Sequence, residues 1–216
     1  MRRLMAWLWQ GKFARNLSRQ SGRVLRARDL RREIGYLPQG QMPGRGGAQR
    51  FNLTLAQSLL AATGLLERDG GLPRDESVRI AGAAFARSGR WAARGATRLW
   101  LKLDPDPFAG VQARGPAKLA RALWGDGMSV EDRHGAEDVS LCVLVCPFHG
   151  YFQSVGRPDL TPVLCAWDAA WQDDVNRSAK PIRVEIRSTI ARGAEICEFA
   201  FQRADPAGAE ARSWTR

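Results

Sequence analysis

Three of the four cysteines and one of the two histidines fall within the stretch from Leu141 to Trp171. Cys146 and His149 stand three residues apart, the fifteen residues Gly150 to Leu164 follow, and Cys165 and Asp168 form a second pair with the same spacing. Two such pairs can bring a thiolate, an imidazole and a carboxylate into one nucleophilic site, in which an imidazolium draws the thiol pKa down from ~8.5 toward neutrality. They can equally close on zinc: four protein ligands would make a structural site, whereas three would leave a position for water. The plainer alternative is that Cys146 and Cys165 are small buried residues and His149 a connector histidine.

The elements needed to position these residues can be read around them. Val139, Leu141, Val143 and Val145 alternate with Ser140, Cys142, Leu144 and Cys146, which predicts a buried strand ended by Pro147. Gly156, Pro158 and Asp159 mark a second break. From Leu160 to Asn176 apolar residues recur at helical spacing (Leu164, Trp167, Trp171, Val175), so Cys165 and Asp168 should share a helix face.

Further marks accompany these residues: the turn Gly156-x-Pro158-Asp159-Leu160, and the late run Gly193-x3-Cys197-x-Phe199-x-Phe201. Together with Cys146 after a strand and the Cys165-x-x-Asp168 pair, they resemble the L-2-amino-thiazoline-4-carboxylic acid hydrolase family of bacterial proteins. The resemblance spans roughly Phe51 to Phe201 and is dense in the last third. It implies hydrolysis of a small cyclic amidine or a related C–N bond, by net addition of water at the carbon between sulfur and nitrogen. It also implies roles for Cys146, Cys165 and Asp168; His149 is placed with them by proximity alone. That carbon becomes electrophilic when its nitrogen is protonated, and a carboxylate such as Asp168 would both bind and maintain the cation. No cofactor is required by this chemistry, with zinc the open alternative. A non-catalytic domain that holds a small ligand or a metal is the competing reading.

With 216 residues the chain can bury a full core without cross-links. Its few cysteines suit free thiols in a reducing compartment, and hence a cytoplasmic protein. The charge is lopsided: the first fifty residues carry twelve Lys/Arg against Asp29 and Glu33, which accounts for ten of the net +11. A basic amphipathic arm over residues 1–34, with Trp7, Trp9, Leu4 and Leu8 near its start, could pack on the body or lie on an anionic membrane surface. Its aromatic residues cluster instead of interleaving with arginines, which argues against nucleic acid as a partner. The apolar piece Leu4 to Trp9 is short of the roughly 7–15 residues of a signal-peptide core, and no run approaches the ~20 apolar residues of a membrane span.

A Gly/Pro-rich linker over residues 35–50 should lead to a single domain, 51–203, with a polar tail at 204–216. Helices are expected at 51–68, from Pro73 past Phe85 until Gly89 weakens the pattern, at 90–102 and at 117–124. Trp91, Leu99 and Trp100 are read as packing residues. Asp104 and Asp106, beside prolines, read as turn formers, and His134 as a solvated turn residue. Ile182 to Ile190 alternates, with Ile182, Val184, Ile186 and Ile190 inward, and pairs with 196–202 as a hairpin in which Cys197 shares a face with Phe199 and Phe201. Helices first and strands last predict an α+β fold, a helical N-terminal layer packed on a small, mostly antiparallel sheet.

Overall fold

The structure, a computed structural model, describes residues 2–38 and 40–204, with side chains from Leu4 onward. Four helices open the chain: α1 (Arg2–Ser21), α2 (Ala27–Ile34), α3 (Gly46–Arg68) and α4 (Arg74–Leu103). Two short ones follow, α5 (Pro107–Arg114) and α6 (Pro116–Trp124). Strands β1 (Ser129–His134) and β2 (Asp138–Val145) lead to α7 (Pro147–Ser154), a 3₁₀ turn (Pro158–Leu160), α8 (Thr161–Asp168) and α9 (Ala170–Asn176). Strand β3 (Arg183–Ser188), a second 3₁₀ turn (Ile190–Arg192) and β4 (Cys197–Gln202) complete the described chain.

The four strands form one antiparallel sheet in the order β1-β2-β4-β3, so the fold is α+β and the β3–β4 hairpin is present as expected. Because side chains alternate along a strand, Val139, Leu141 and Val143 share one face of β2. That face meets the helices: Val139, Val184 and Phe201 pack with Leu101, Phe108 and Val175, and Val130, Val143 and Cys197 pack with Ala117 and Ala120. The opposite face is tied by polar groups. Ser140 Oγ donates to Glu198 (2.9 Å), and Arg187 donates to Glu198 (3.0 Å) and to Asp138.

β1 was hidden from the periodicity because its sequence, SVEDRH, is largely charged, a composition suited to an edge strand that must resist pairing with other chains. His134 is therefore the exposed last residue of a strand and not part of a turn. Ile186, expected inward, is 41% exposed near a register irregularity in β3.

α4 runs unbroken through Gly89, where the sequence suggested a weakening. The glycine serves close approach instead of a break: a Cβ there would lie 2.7 Å from the Trp167 indole nitrogen. Gly82, seven residues earlier and so on the same face, meets Val163 in the same way. Two glycines thus let α8 press against α4.

Of the basic segment 1–34, the described residues 2–34 are docked on the body. Phe13, Leu17 and Leu30 are fully buried in the main cluster with α3, α4 and α7 residues, and Phe13 packs against Phe85 at 5.5 Å. α2 is locked by Arg68 from α3, whose guanidinium donates twice to Glu33 (2.9 and 2.8 Å). The linker expected over 35–50 is shorter, since α3 begins at Gly46 and Met42 enters the core. Of the polar tail at 204–216, residues 205–216 lie outside the described residues.

Candidate functional site

Cys146 sits where β2 ends and α7 begins. Pro147 cannot donate to the sheet ladder, yet its fixed φ suits a first helical position, so the same residue ends the strand and starts the helix. The short helix was not legible in the sequence, which suggested a plain turn. As the residue capping α7, Cys146 turns its sulfur toward the amides of His149 and Phe148, although neither closes into a cap hydrogen bond.

Cys197 opens β4, and its backbone pairs in register with Val143, three residues before Cys146. Cys146 and Cys197 therefore arrive from neighbouring strands, and both belong to the cluster around Val143 and Ala120. The sulfur of Cys197 accepts a hydrogen bond from the Ile190 amide at 3.3 Å. The turn carrying Ile190 packs against α8, which brings Cys165 and Asp168 over the same end of the sheet.

The turn Gly156-x-Pro158-Asp159-Leu160 sets the start of α8. Gly156 takes the left-handed conformation (φ 70°), Leu160 is fully buried, and Asp159 accepts from Arg74 at 2.5 Å and from Arg157 at 3.1 Å. Arg157 also donates to Glu67 (3.1 Å), joining α3, α4 and the turn. Burial alone would push the Asp159 carboxyl up, but the hydrogen bonds from Arg74 and Arg157 hold it at about 2. This family-like turn is thus a clamp that fixes α8.

Inside the clamp the electrostatics reverse. Burial pushes the Asp168 carboxyl up to about 6, and among the described residues no side-chain hydrogen bond or ion pair engages it. Asp168 is half-buried as a residue, and its unpartnered carboxylate oxygens keep some contact with solvent, so partial burial is the cause of its shift. Burial likewise raises Cys146 to about 11; the amides of His149 and Phe148 oppose this, while the charges of Cys197 and Asp168 add to it. Cys165 is raised to about 12 by burial, then by Cys146, Cys197 and Asp168. Cys197 is raised by burial and by Asp168, against the Ile190 amide. Three thiols and one carboxylate therefore lie within electrostatic reach of one another, and among the described residues no cation is paired to them.

His149 does not join them through its ring. Its Nδ1 lies 3.3 Å from the hydroxyl of the buried Thr161, and it acts on Cys146 through its backbone amide. No hydrogen bond among the described residues joins the His149 ring to the Cys146 sulfur. Among the described residues, no group of three or more His, Cys, Asp or Glu side chains is placed to hold a metal ion.

Aromatic rings pack in the same cluster as Cys146. Phe148, two residues after Cys146, and Trp167, next to Asp168, both meet Trp124 edge-on, at 5.6 and 6.1 Å. Cys197 and Trp124 were missed as members of this neighbourhood by reasoning from spacing. For Cys197 the signal was its place in the Gly193-x3-Cys197-x-Phe199-x-Phe201 run; Trp124 reaches the site only through tertiary packing of α6.

An α+β domain with a thiol and a carboxylate at the helix-covered end of its sheet is the class that this geometry defines. The family comparison narrows it: the L-2-amino-thiazoline-4-carboxylic acid hydrolase family matches residues 53–201, and the chain belongs to that family. Among curated proteins none matches the chain. Similar solved structures include the crystal structure of the Fe(II) unliganded H-NOX protein from K. algicida, at 10% identity and a TM-score of 0.37, covering 92% of this chain and 96% of that one. A single-site mutant of the same H-NOX protein gives 9% identity and a TM-score of 0.34 over the same shares. At these values the likenesses carry no argument about the site.

Proposed function

We propose that this protein is a hydrolase that opens a small cyclic amidine of the 2-amino-thiazoline-carboxylate kind, with Cys146 as nucleophile and Asp168 as counter-ion. The single observation that carries this reading is the half-buried carboxylate of Asp168, without a cationic partner among the described residues, beside three thiols. Such a group lacks a positive partner, and an amidine that takes up a proton at the site becomes one, with two N–H donors in the plane of a carboxylate.

The thiols are neutral in the free protein because nothing nearby stabilises the thiolate enough to overcome burial. Binding of the amidine changes that balance. The Cys146 thiol passes its proton to the amidine nitrogen, Asp168 holds the amidinium so formed, and the amides of His149 and Phe148 favour the thiolate. The thiolate adds to the carbon between sulfur and nitrogen. One ring bond to that carbon breaks, and the departing ring atom leaves with a proton. Water then adds at the same carbon and Cys146 departs as the thiol, so one water is consumed and the enzyme is restored. Cys165 and Cys197 keep the pocket compact and neutral around the bound cation.

The raised thiols also favour a second reading, in which the pocket holds a small cation without turning it over. One experiment separates the two: a panel of thiazoline and amidine compounds assayed against the native protein and Cys146→Ser. Turnover by the native protein alone supports the hydrolase, binding by both without turnover supports the binding domain, and neither binding nor turnover removes both.

A further inference from the structure

Trp91 and Leu99, which the sequence suggested as packing residues, face outward, and they do so beside the exposed side of α1. The Asn16 side-chain amide (Nδ2) donates to Ser88 Oγ at 3.0 Å, and the Lys12 ammonium sits 4.7 Å above the Trp91 ring. Moving back along α1 therefore means moving forward along α4, so the two helices run antiparallel. Leu8 and Leu4, one and two turns before Lys12 on the same face, fall alongside Gly95 and Leu99, each a like distance beyond Trp91. The result is one apolar stripe shared by two helices. Leu4, Met5, Trp7, Leu8, Trp91 and Leu99 are each more than half exposed.

Cations border this stripe. Arg15 and Arg19 on α1, and Arg87 and Lys102 on α4, are exposed and have no ion-pair partner among the described residues. α1 contains no acidic residue, and α4 contains none after Glu76. A monomeric protein gains nothing from leaving tryptophans and leucines in water next to unneutralised arginines. A second copy would bring the same positive charge to the interface. A surface that is negative at its face and apolar beneath it satisfies both halves.

From the paired apolar and cationic rows we infer that the α1–α4 face docks on an anionic phospholipid bilayer, with the leucines and tryptophans entering the interface and the arginines and lysines meeting the headgroups. Among the described residues no helix is long and apolar enough to cross a membrane, so the attachment is peripheral and salt-sensitive. It is independent of the reaction proposed for Cys146.

The test is co-sedimentation of the full chain with vesicles of mixed phosphatidylserine and phosphatidylcholine and with vesicles of phosphatidylcholine alone. The native protein should sediment with the mixed vesicles, release as salt is added, and stay in solution with phosphatidylcholine. Leu8→Gln with Leu99→Gln should weaken partition by roughly tenfold or more per leucine, the cost of leaving one leucine in water, while the circular dichroism spectrum is unchanged. Leu8→Phe with Leu99→Phe should restore it. No sedimentation with the mixed vesicles, equal sedimentation with both compositions, or native-like binding by the glutamine variant would each overturn the inference. So would a native dimer that the glutamine variant fails to form, or displacement from the vesicles into a complex with duplex DNA.

Discussion

Two aspartates six residues apart show how differently this fold treats a carboxylate. Asp174, near the end of α9, is gripped by α4: Arg94 donates to it twice at 2.8 Å and Arg98 once at 3.2 Å, and the hydrogen bond from Arg94 holds its pKa below the usual range. Asp168, at the end of α8, has no such partner, and burial pushes it up to about 6. Both helices pack on the same α4, so proximity to arginine-rich α4 does not separate the two cases. The difference is which face each aspartate presents. Asp174 faces the arginine side of α4 and serves as a structural joint, whereas Asp168 faces the thiols at the end of the sheet, where no cation among the described residues offsets its burial.

That contrast can be broken in steps. The largest effect should come from the thiol. Cys146→Ser should lower kcat/KM by at least roughly a thousandfold, since a serine hydroxyl in the same place is not ionised by an amidine, while the melting temperature stays near native. Steady-state kinetics with a cyclic amidine and a thermal melt check both halves.

Asp168→Asn should come next, and with an opposite sign in stability. Loss of the counter-ion should cost roughly a hundredfold in kcat/KM, much of it in KM, because a neutral amide holds a cation weakly. The folded pKa of Asp168 lies above its unfolded value, so the folded state binds the proton more tightly. Its contribution favours folding at low pH and is lost as pH rises from about 4 through about 6. Removing the charge should therefore stabilise the protein at neutral pH by up to roughly 2–3 kcal/mol, and flatten the pH dependence of unfolding between those values. A merely structural aspartate would give the reverse.

Arg94→Ala supplies the matching control at the paired carboxylate. Arg94 is partly exposed and Arg98 remains, so the expected loss of stability is small, with kcat/KM per folded molecule little changed. Urea unfolding alongside kinetics reads this directly.

Much of this arrangement was visible in the residues themselves. Leu160 to Asn176 carries its apolar residues at helical spacing, so Cys165 and Asp168 could be placed on one face. The alternation from Val139 fixes the strand that delivers Cys146, and the hairpin with Cys197 follows from two alternating runs around Gly193. What the residues could not show were facts of long-range packing. Whether His149 points its ring at Cys146 or at Thr161 depends on how α7 meets α8, and α7 is a short helix hidden behind Pro147. Gly89 reads locally as a helix breaker, and its purpose appears only when Trp167 arrives from a distant part of the chain. The outward turn of Trp91 and Leu99 likewise depends on where α1 docks.

The account rests on Asp168 standing as a carboxylate without a partner until a cation binds. The most direct test is the titration of its side-chain carbon by nuclear magnetic resonance in the Cys146→Ser protein, with and without bound 2-amino-thiazoline-4-carboxylate. The prediction is a pKa of about 6 in the free protein, moving well down when the ligand is present. A free value in the ordinary aspartate range, or a value that the ligand leaves unmoved, would contradict it.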